Sequence, residues 1–118
     1  MEQSKYDTPK RMTVKEFLEA IENLDETICQ IQITIKFKKS LDLSYRRGLD
    51  LKLLKDVIHT LAKGNKLDVK HRPHTLEGYK MVIWECHIKP DWLLLWQHTN
   101  SGLILILLDT GTHSDLFQ

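Results

Sequence analysis

Three short motifs in the second half of the chain gather the residues able to move protons. They are His71-Arg72-Pro73-His74, then Glu85-Cys86-His87-Ile88-Lys89-Pro90-Asp91-Trp92, and finally Thr110-Gly111-Thr112-His113-Ser114-Asp115-Leu116-Phe117. Four of the six histidines lie in them, each beside a turn signal or strand end rather than within an apolar run. Imidazole titrates near neutral pH, so several rings around one cleft can take and give protons in a single reaction. Acid–base catalysis is the chemistry this pattern offers.

The same side chains are possible metal ligands: His71, His74, Cys86, His87, Asp91 and His113. Only His71 and His74 stand at ligand-like spacing, and no Cys-x-x-Cys accompanies them, so no metal and no cofactor is expected. Cys86 alternates with His87 along a strand and should therefore point into the core. His59, on a helix, and His98, beside a turn, read as surface histidines.

Holding such groups in place requires a small folded domain, and 118 residues suffice for one. An apolar fraction of 42% and a charged fraction of 28% are ordinary for a globular protein. The longest apolar run, residues 103–108, falls short of the ~18 residues of a membrane span, and no apolar leader opens the sequence. A cytoplasmic protein is expected, with its two cysteines, Cys29 and Cys86, reduced. Charge is uneven along the chain. Residues 1–27 carry four Lys/Arg against seven acids, whereas residues 28–118 carry thirteen against nine. An acidic arm on a mildly basic body permits a nucleic-acid partner without requiring one.

Residues 1–12 show no periodicity and are expected to be mobile. Thr13-Val14-Lys15-Glu16 matches a capping box, and Val14, Phe17, Leu18, Ile21 and Leu24 follow at helical spacing, giving an amphipathic helix. Ile31, Ile33, Ile35 and Phe37 alternate with Gln32, Thr34, Lys36 and Lys38, the pattern of a strand with one buried face. Leu41 and Tyr45 predict a short helix stopped at Gly48. Asp50 then caps a second helix with the stripe Leu51, Leu54, Val57, Ile58 and Leu61, closed at Lys63-Gly64-Asn65. After a polar loop holding Pro73, strands are predicted over residues 81–88, 93–98 and 103–109, the last two joined by the turn Thr99-Asn100-Ser101-Gly102. The expected fold is α+β: a small antiparallel sheet made of one strand and, after two helices, a three-stranded meander. Helices pack the sheet, and the N-terminal amphipathic helix is an addition to it.

His74, Cys86-His87-Ile88-Lys89-Pro90-Asp91-Trp92 and Thr110-Gly111-Thr112-His113-Ser114-Asp115-Leu116-Phe117 together resemble the RelE/ParE superfamily, in its YafQ-like branch. The likeness covers about residues 28–117 and is helped by Lys36-Phe37-Lys38-Lys39. It implies a microbial-RNase-like fold and the toxin of a type II toxin–antitoxin pair, an mRNA interferase cutting message on the ribosome. It also implies inhibition by a cognate antitoxin, with DNA met only through that partner. By the same resemblance His74, His87, Asp91 and His113 are catalytic and Phe117 is the terminal aromatic of the site. The chemistry suits them, because cleavage by a neighbouring 2′-hydroxyl needs a base, an acid and positive charge for the phosphorane. Which histidine is acid and which base stays open. On their own chemistry Trp92 is expected to stack on a base, and Lys89, Lys70 and Arg72 to contact phosphate in place of missing arginines.

Two departures bear on activity. Val82-Ile83-Trp84 stand where YafQ-like sequences commonly have Gly-Tyr-Arg, and Asp109 stands where they have arginine before Thr-Gly-Thr-His. Loss of two phosphate-clamping arginines points to attenuation at Trp84 and Asp109, or to a homologue that binds antitoxin or ribosome without cleaving. A gyrase poison of the ParE type fits less well, since that branch does not depend on such a histidine set. Residues 1–27, an acidic arm outside the likeness to the 28–118 domain, should dock on the basic body. The arm either covers part of an antitoxin-binding surface or merely completes the core or makes a dimer contact.

Overall fold

In the computed structural model, which describes residues 10–117, the first helix begins at the capping box. The Thr13 hydroxyl accepts from the Glu16 amide (3.1 Å), and the Glu16 carboxylate accepts from the Thr13 amide (2.9 Å). Helix α1 (Val14–Glu22) follows, with Phe17 and Ile21 buried. Of the segment expected to be mobile, residues 1–9 lie outside the described residues, and the remainder is tied down. Arg11 sits 4.1 Å from the centroid of the Tyr45 ring and donates to the Tyr45 carbonyl (3.0 Å), while Met12 packs on the core.

Strand β1 (Gln30–Ile33) is shorter than its alternating pattern predicts, because Thr34 starts a helix instead of continuing the strand. Its hydroxyl accepts from the Phe37 amide (3.0 Å) and donates to the Leu108 carbonyl (2.8 Å). Phe37, Leu41 and Ser44 are thus buried at helical spacing on α2 (Ile35–Arg46), a longer helix than expected, and Ile35 is left exposed. Asp50 caps α3 (Leu51–Ala62) by accepting from the Lys52 amide (3.0 Å), and the predicted apolar stripe is buried. The following Gly64, at φ +78°, is required by a close approach: a Cβ there would lie 2.6 Å from the Ile28 side chain. Helix α1 lies across α3 and α2, its Phe17 ring 6.3 Å from that of Phe37.

A 3-10 turn (Val69–His71) leads into β2 (His74–Thr75), β3 (Trp84–Lys89), β4 (Trp92–Thr99), β5 (Ile104–Gly111) and α4 (His113–Phe117). The sheet runs β1-β5-β4-β3-β2. Its last four strands are antiparallel, but β1 pairs parallel to β5, Ile31 opposite Leu105 and Ile33 opposite Leu107, so the sheet is mixed rather than wholly antiparallel. The parallel partner closes the open side of β5, beside Leu105 and Leu107, with two isoleucines. Strand β3 starts three residues later than expected. Met81 and Val82 stay exposed in a loop closed by the Leu76 amide donating to the Ile83 carbonyl (2.9 Å).

Along β3 the alternation sends Cys86 and Ile88 into the helix-covered core, with Leu94, Trp96, Leu105 and Leu107 beside them. Burial pushes the Cys86 thiol up to about 12, and the neighbouring Glu85 charge adds to the effect. Thiol reagents at mildly alkaline pH should therefore label Cys86 only at the rate of unfolding. The folded thiol keeps its proton while an unfolded one would lose it near 9.0, so this group leaves stability untouched at neutral pH. Stability falls as pH climbs from 9.0 towards about 12. Labelling of Cys86 in the native protein as fast as in denaturant would contradict this placement.

Candidate active site

Strand register places the histidines. His74 on β2 pairs with Glu85 on β3, and His87, two residues on, projects from the same side of the sheet as Glu85. His87 is opposite Leu93, and Leu93 is opposite Gly111, so one row crosses β3, β4 and β5. Two residues beyond that row His113 opens α4, and Asp91 occupies the exposed β3–β4 turn at the same end of the hairpin. The four residues thus come from one end of the sheet, on β2, β3, the β3–β4 turn and α4.

Hydrogen bonds define the tautomers of His71, His74 and His87. A ring nitrogen facing a carbonyl must be the N–H, so Nδ1 of His74 donates to the Arg72 carbonyl (2.8 Å) and Nδ1 of His87 to the Pro90 carbonyl (3.2 Å). Nε2 of His74 lies 2.9 Å from the carboxylate of the buried Glu85, and in its protonated form this ring donates to both acceptors. His87 keeps Nε2 for proton exchange. His71 donates through Nδ1 to the His87 carbonyl (2.6 Å), which makes it a strut between the 3-10 turn and β3. His113 is exposed and packs against the Phe117 ring, centroids 4.9 Å apart.

Helix α4 itself is set by Asp115. Its carboxylate accepts from the Thr112 amide (2.8 Å), while the Thr112 hydroxyl accepts from the Asp115 amide (3.1 Å). Arg47, at the C-terminus of α2, donates to both carboxylate oxygens (2.6 and 3.2 Å). The Arg47 guanidinium, with help from the Thr112 hydrogen bonds, holds the Asp115 carboxyl down at about 2. The guanidinium in turn is shifted up, first by its bond to Asp115 and more weakly by the charge of Asp91. Sequence reasoning gave no part to Arg47 or to Glu85 as the partner of His74. The Thr112-x-x-Asp115 spacing is a readable cap signal, whereas both pairings cross long stretches of chain.

Lys70, Arg72 and Lys89 are exposed and, with His87, line an open groove of about 990 Å³ between α3 and β3. Its apolar lining is Leu53, Val57, Leu67 and Ile88. His87 is the residue shared between this groove and the histidine set, since His74, Asp91 and His113 lie outside the lining. Among the described residues no group of three His, Cys, Asp or Glu could hold a metal ion.

Three expectations need correction or revision. Trp92 is 1% exposed, and its indole donates to the Thr110 hydroxyl (2.9 Å), which donates on to the Leu93 carbonyl (2.7 Å). It is a core residue and cannot stack on a base. Trp84 stacks on Trp96 at 6.0 Å and packs against the core rather than standing among the histidines. Asp109, one row from His87, is buried with its charge met locally. It accepts from the Ser40 hydroxyl and the Thr110 amide, and Lys36 lies 3.5 Å away. The carboxylate therefore comes with partners of its own on α2 instead of standing bare beside the site.

Comparison with known proteins agrees with this fold. The family model described as a bacterial toxin of type II toxin–antitoxin system, YafQ, matches residues 29–118. The mRNA interferase toxin YafQ of Escherichia coli (strain K12) is 30% identical over 89 residues, 74% of this chain and 94% of the relative. Among solved structures, a metal-bound toxin from Helicobacter pylori is 39% identical, with a TM-score of 0.72 over 75% of this chain and 99% of that one. The toxin–antitoxin complex DinJ–YafQ of E. coli matches at 28% identity and a TM-score of 0.70, covering 77% and 99%. Helix α1 lies ahead of the family match. With its matched region reaching from β1 through the histidine-bearing α4, the chain belongs to the YafQ family of toxins of bacterial type II toxin–antitoxin systems.

Proposed function

We propose that this chain is an mRNA interferase, an endoribonuclease that cuts messenger RNA on the ribosome in the cytoplasm and is held in check by a cognate antitoxin. DNA is met only through that antitoxin. The observation that carries the reading is the row from His87 through Leu93 to Gly111, which puts His87 level with the strand end leading to His113, two strands across, with His74 on the same sheet face. His87 and His113 divide the roles of base on the 2′-hydroxyl and acid on the leaving 5′-oxygen. His74, held between the Arg72 carbonyl and the Glu85 carboxylate, presents a ring fixed in place to the reacting phosphate. Asp91 sets the local field at the hairpin turn, and Phe117 limits the swing of the His113 ring.

Lys70, Arg72 and Lys89 receive the RNA backbone along the groove that ends at His87. The DinJ–YafQ complex supports an antitoxin as the protein partner. Cleavage by this route leaves a 2′,3′-cyclic phosphate and a 5′-hydroxyl. The test uses ribosomes programmed with a message and the purified chain, with the ends of the fragments mapped. A message carrying 2′-deoxy at the cut nucleotide should resist completely. Cleavage of that message at the normal rate, or no cleavage of any message with ribosomes present, would overturn the proposal.

A further inference from the structure

We propose that Arg47 is a positioning residue for His113, acting through Asp115; the inference rests on the catalytic reading of His113 given above. Helix α4 has five residues and no buried side chain, too short to hold a helical form or a fixed place by itself. The reciprocal bonds between Thr112 and Asp115 form its first turn, but they are local and do not tie it to the body. That tie is Arg47, 68 positions away in sequence.

The geometry of the tie is that of a rigid fork. Arg47 is the C-terminal cap of α2, its own amide bonded to the Leu43 carbonyl, and α2 is anchored in the core by Phe37, Leu41 and Ser44. From that base the guanidinium makes two bonds to one carboxylate, one to each oxygen, which sets direction as well as distance. The strand end below is shaped to match. Gly111 has φ +157°, and a Cβ there would fall 2.8 Å from the Asp115 carboxylate, so only glycine lets Asp115 settle over the end of β5. His113 and Phe117 are carried by the turn that Asp115 pins. A proton-transfer group misplaced by even an ångström can lose about 10²-fold in rate, so the fork matters more to turnover than to folding. The ion pair is part-exposed, and pairs of that kind add little to global stability.

The test compares Arg47→Ala, Arg47→Lys and Asp115→Asn in the full-length protein. Arg47→Ala should lower kcat for RNA cleavage by about 10–10²-fold, with KM, antitoxin affinity and Tm close to those of the wild type. Arg47→Lys, which keeps the charge but loses the fork, should recover part of the loss. Asp115→Asn keeps an oxygen for the Thr112 amide yet should fall with Arg47→Ala. In a His113→Ala background, Arg47→Ala should have no further effect, because the group it positions is gone. Imidazole NMR supplies a readout that needs no turnover: the His113 ring resonances should move in Arg47→Ala while those of His74 and His87 stay. Undiminished loss in the His113→Ala background, or an unmoved His113 signal, would overturn the assignment. A wild-type protein that cuts no RNA would instead sink the catalytic reading, and the His113 signal would still decide whether Arg47 places that ring.

Discussion

His87→Ala and His113→Ala should each lower RNA cleavage by about 10²–10⁴-fold and abolish growth arrest on induction, while the thermal midpoint hardly moves. The fold allows the separation because neither side chain holds it together. His113 is exposed on a helix that buries nothing, and His87 makes one hydrogen bond of 3.2 Å at a turn. His71→Ala provides the contrast. It removes the 2.6 Å strut between the 3-10 turn and β3, so it should loosen the groove wall and show in stability before it shows in chemistry. Equal toxicity in the wild type and both alanine variants would remove catalysis from the account.

Removing residues 1–27 should leave a protein that unfolds or aggregates, and Phe17→Ala alone should cost about 3–5 kcal/mol. Phe17 has no exposed surface and Ile21 is 5% exposed, both packed where α1 crosses α3 and α2. Against a total stability of roughly 5–15 kcal/mol for a domain of this size, one such loss is severe. The comparison with relatives sharpens the point. Solved structures matched over 99% of their own length align with only 75–77% of this chain, so the fold exists without such a helix. In this chain the face of α2 and α3 is fitted to α1, whose Phe17 and Ile21 belong to the core. Denaturation of the truncated and full-length chains decides it. An unchanged midpoint with greater toxicity would mean that the arm is a detachable inhibitor instead.

Local signals carried much of the architecture. The Thr13 capping box, the Asp50 cap and the stripe of α3 can be read from residues a few positions apart, and each stands as read. The start of α2 was hidden because Ile31, Ile33, Ile35 and Phe37 satisfy a period of two, while Phe37, Leu41 and Ser44 satisfy the helical one. Thr34 decides between them through a bond to Leu108, and no local pattern contains that bond. The direction of β1 against β5 was invisible for the same reason. At the site, the histidines and Asp91 stood out by type and by the resemblance of their motifs. Glu85 behind His74, Arg47 behind Asp115 and Ser40 with Lys36 around Asp109 are partners across the fold, and their spacing in sequence carries no trace of the contact. Trp92 was misjudged because its neighbours in the motif are functional types, while its own indole points at Thr110.

The parallel pairing of β1 with β5 also sets a clock on synthesis. The Thr34 hydroxyl reaches the Leu108 carbonyl across 74 positions, so the first strand has no partner until the last one has been made. At about 5–20 residues per second, a ribosome needs roughly 4–15 s to cover that distance. Loop closure of this length also makes the pairing slow to form even once both strands exist. Within that interval His74 and His87 join the growing polypeptide before the sheet row that leads to His113 can form. The complete row from His87 to the strand end before His113 therefore exists only once β5 has left the ribosome.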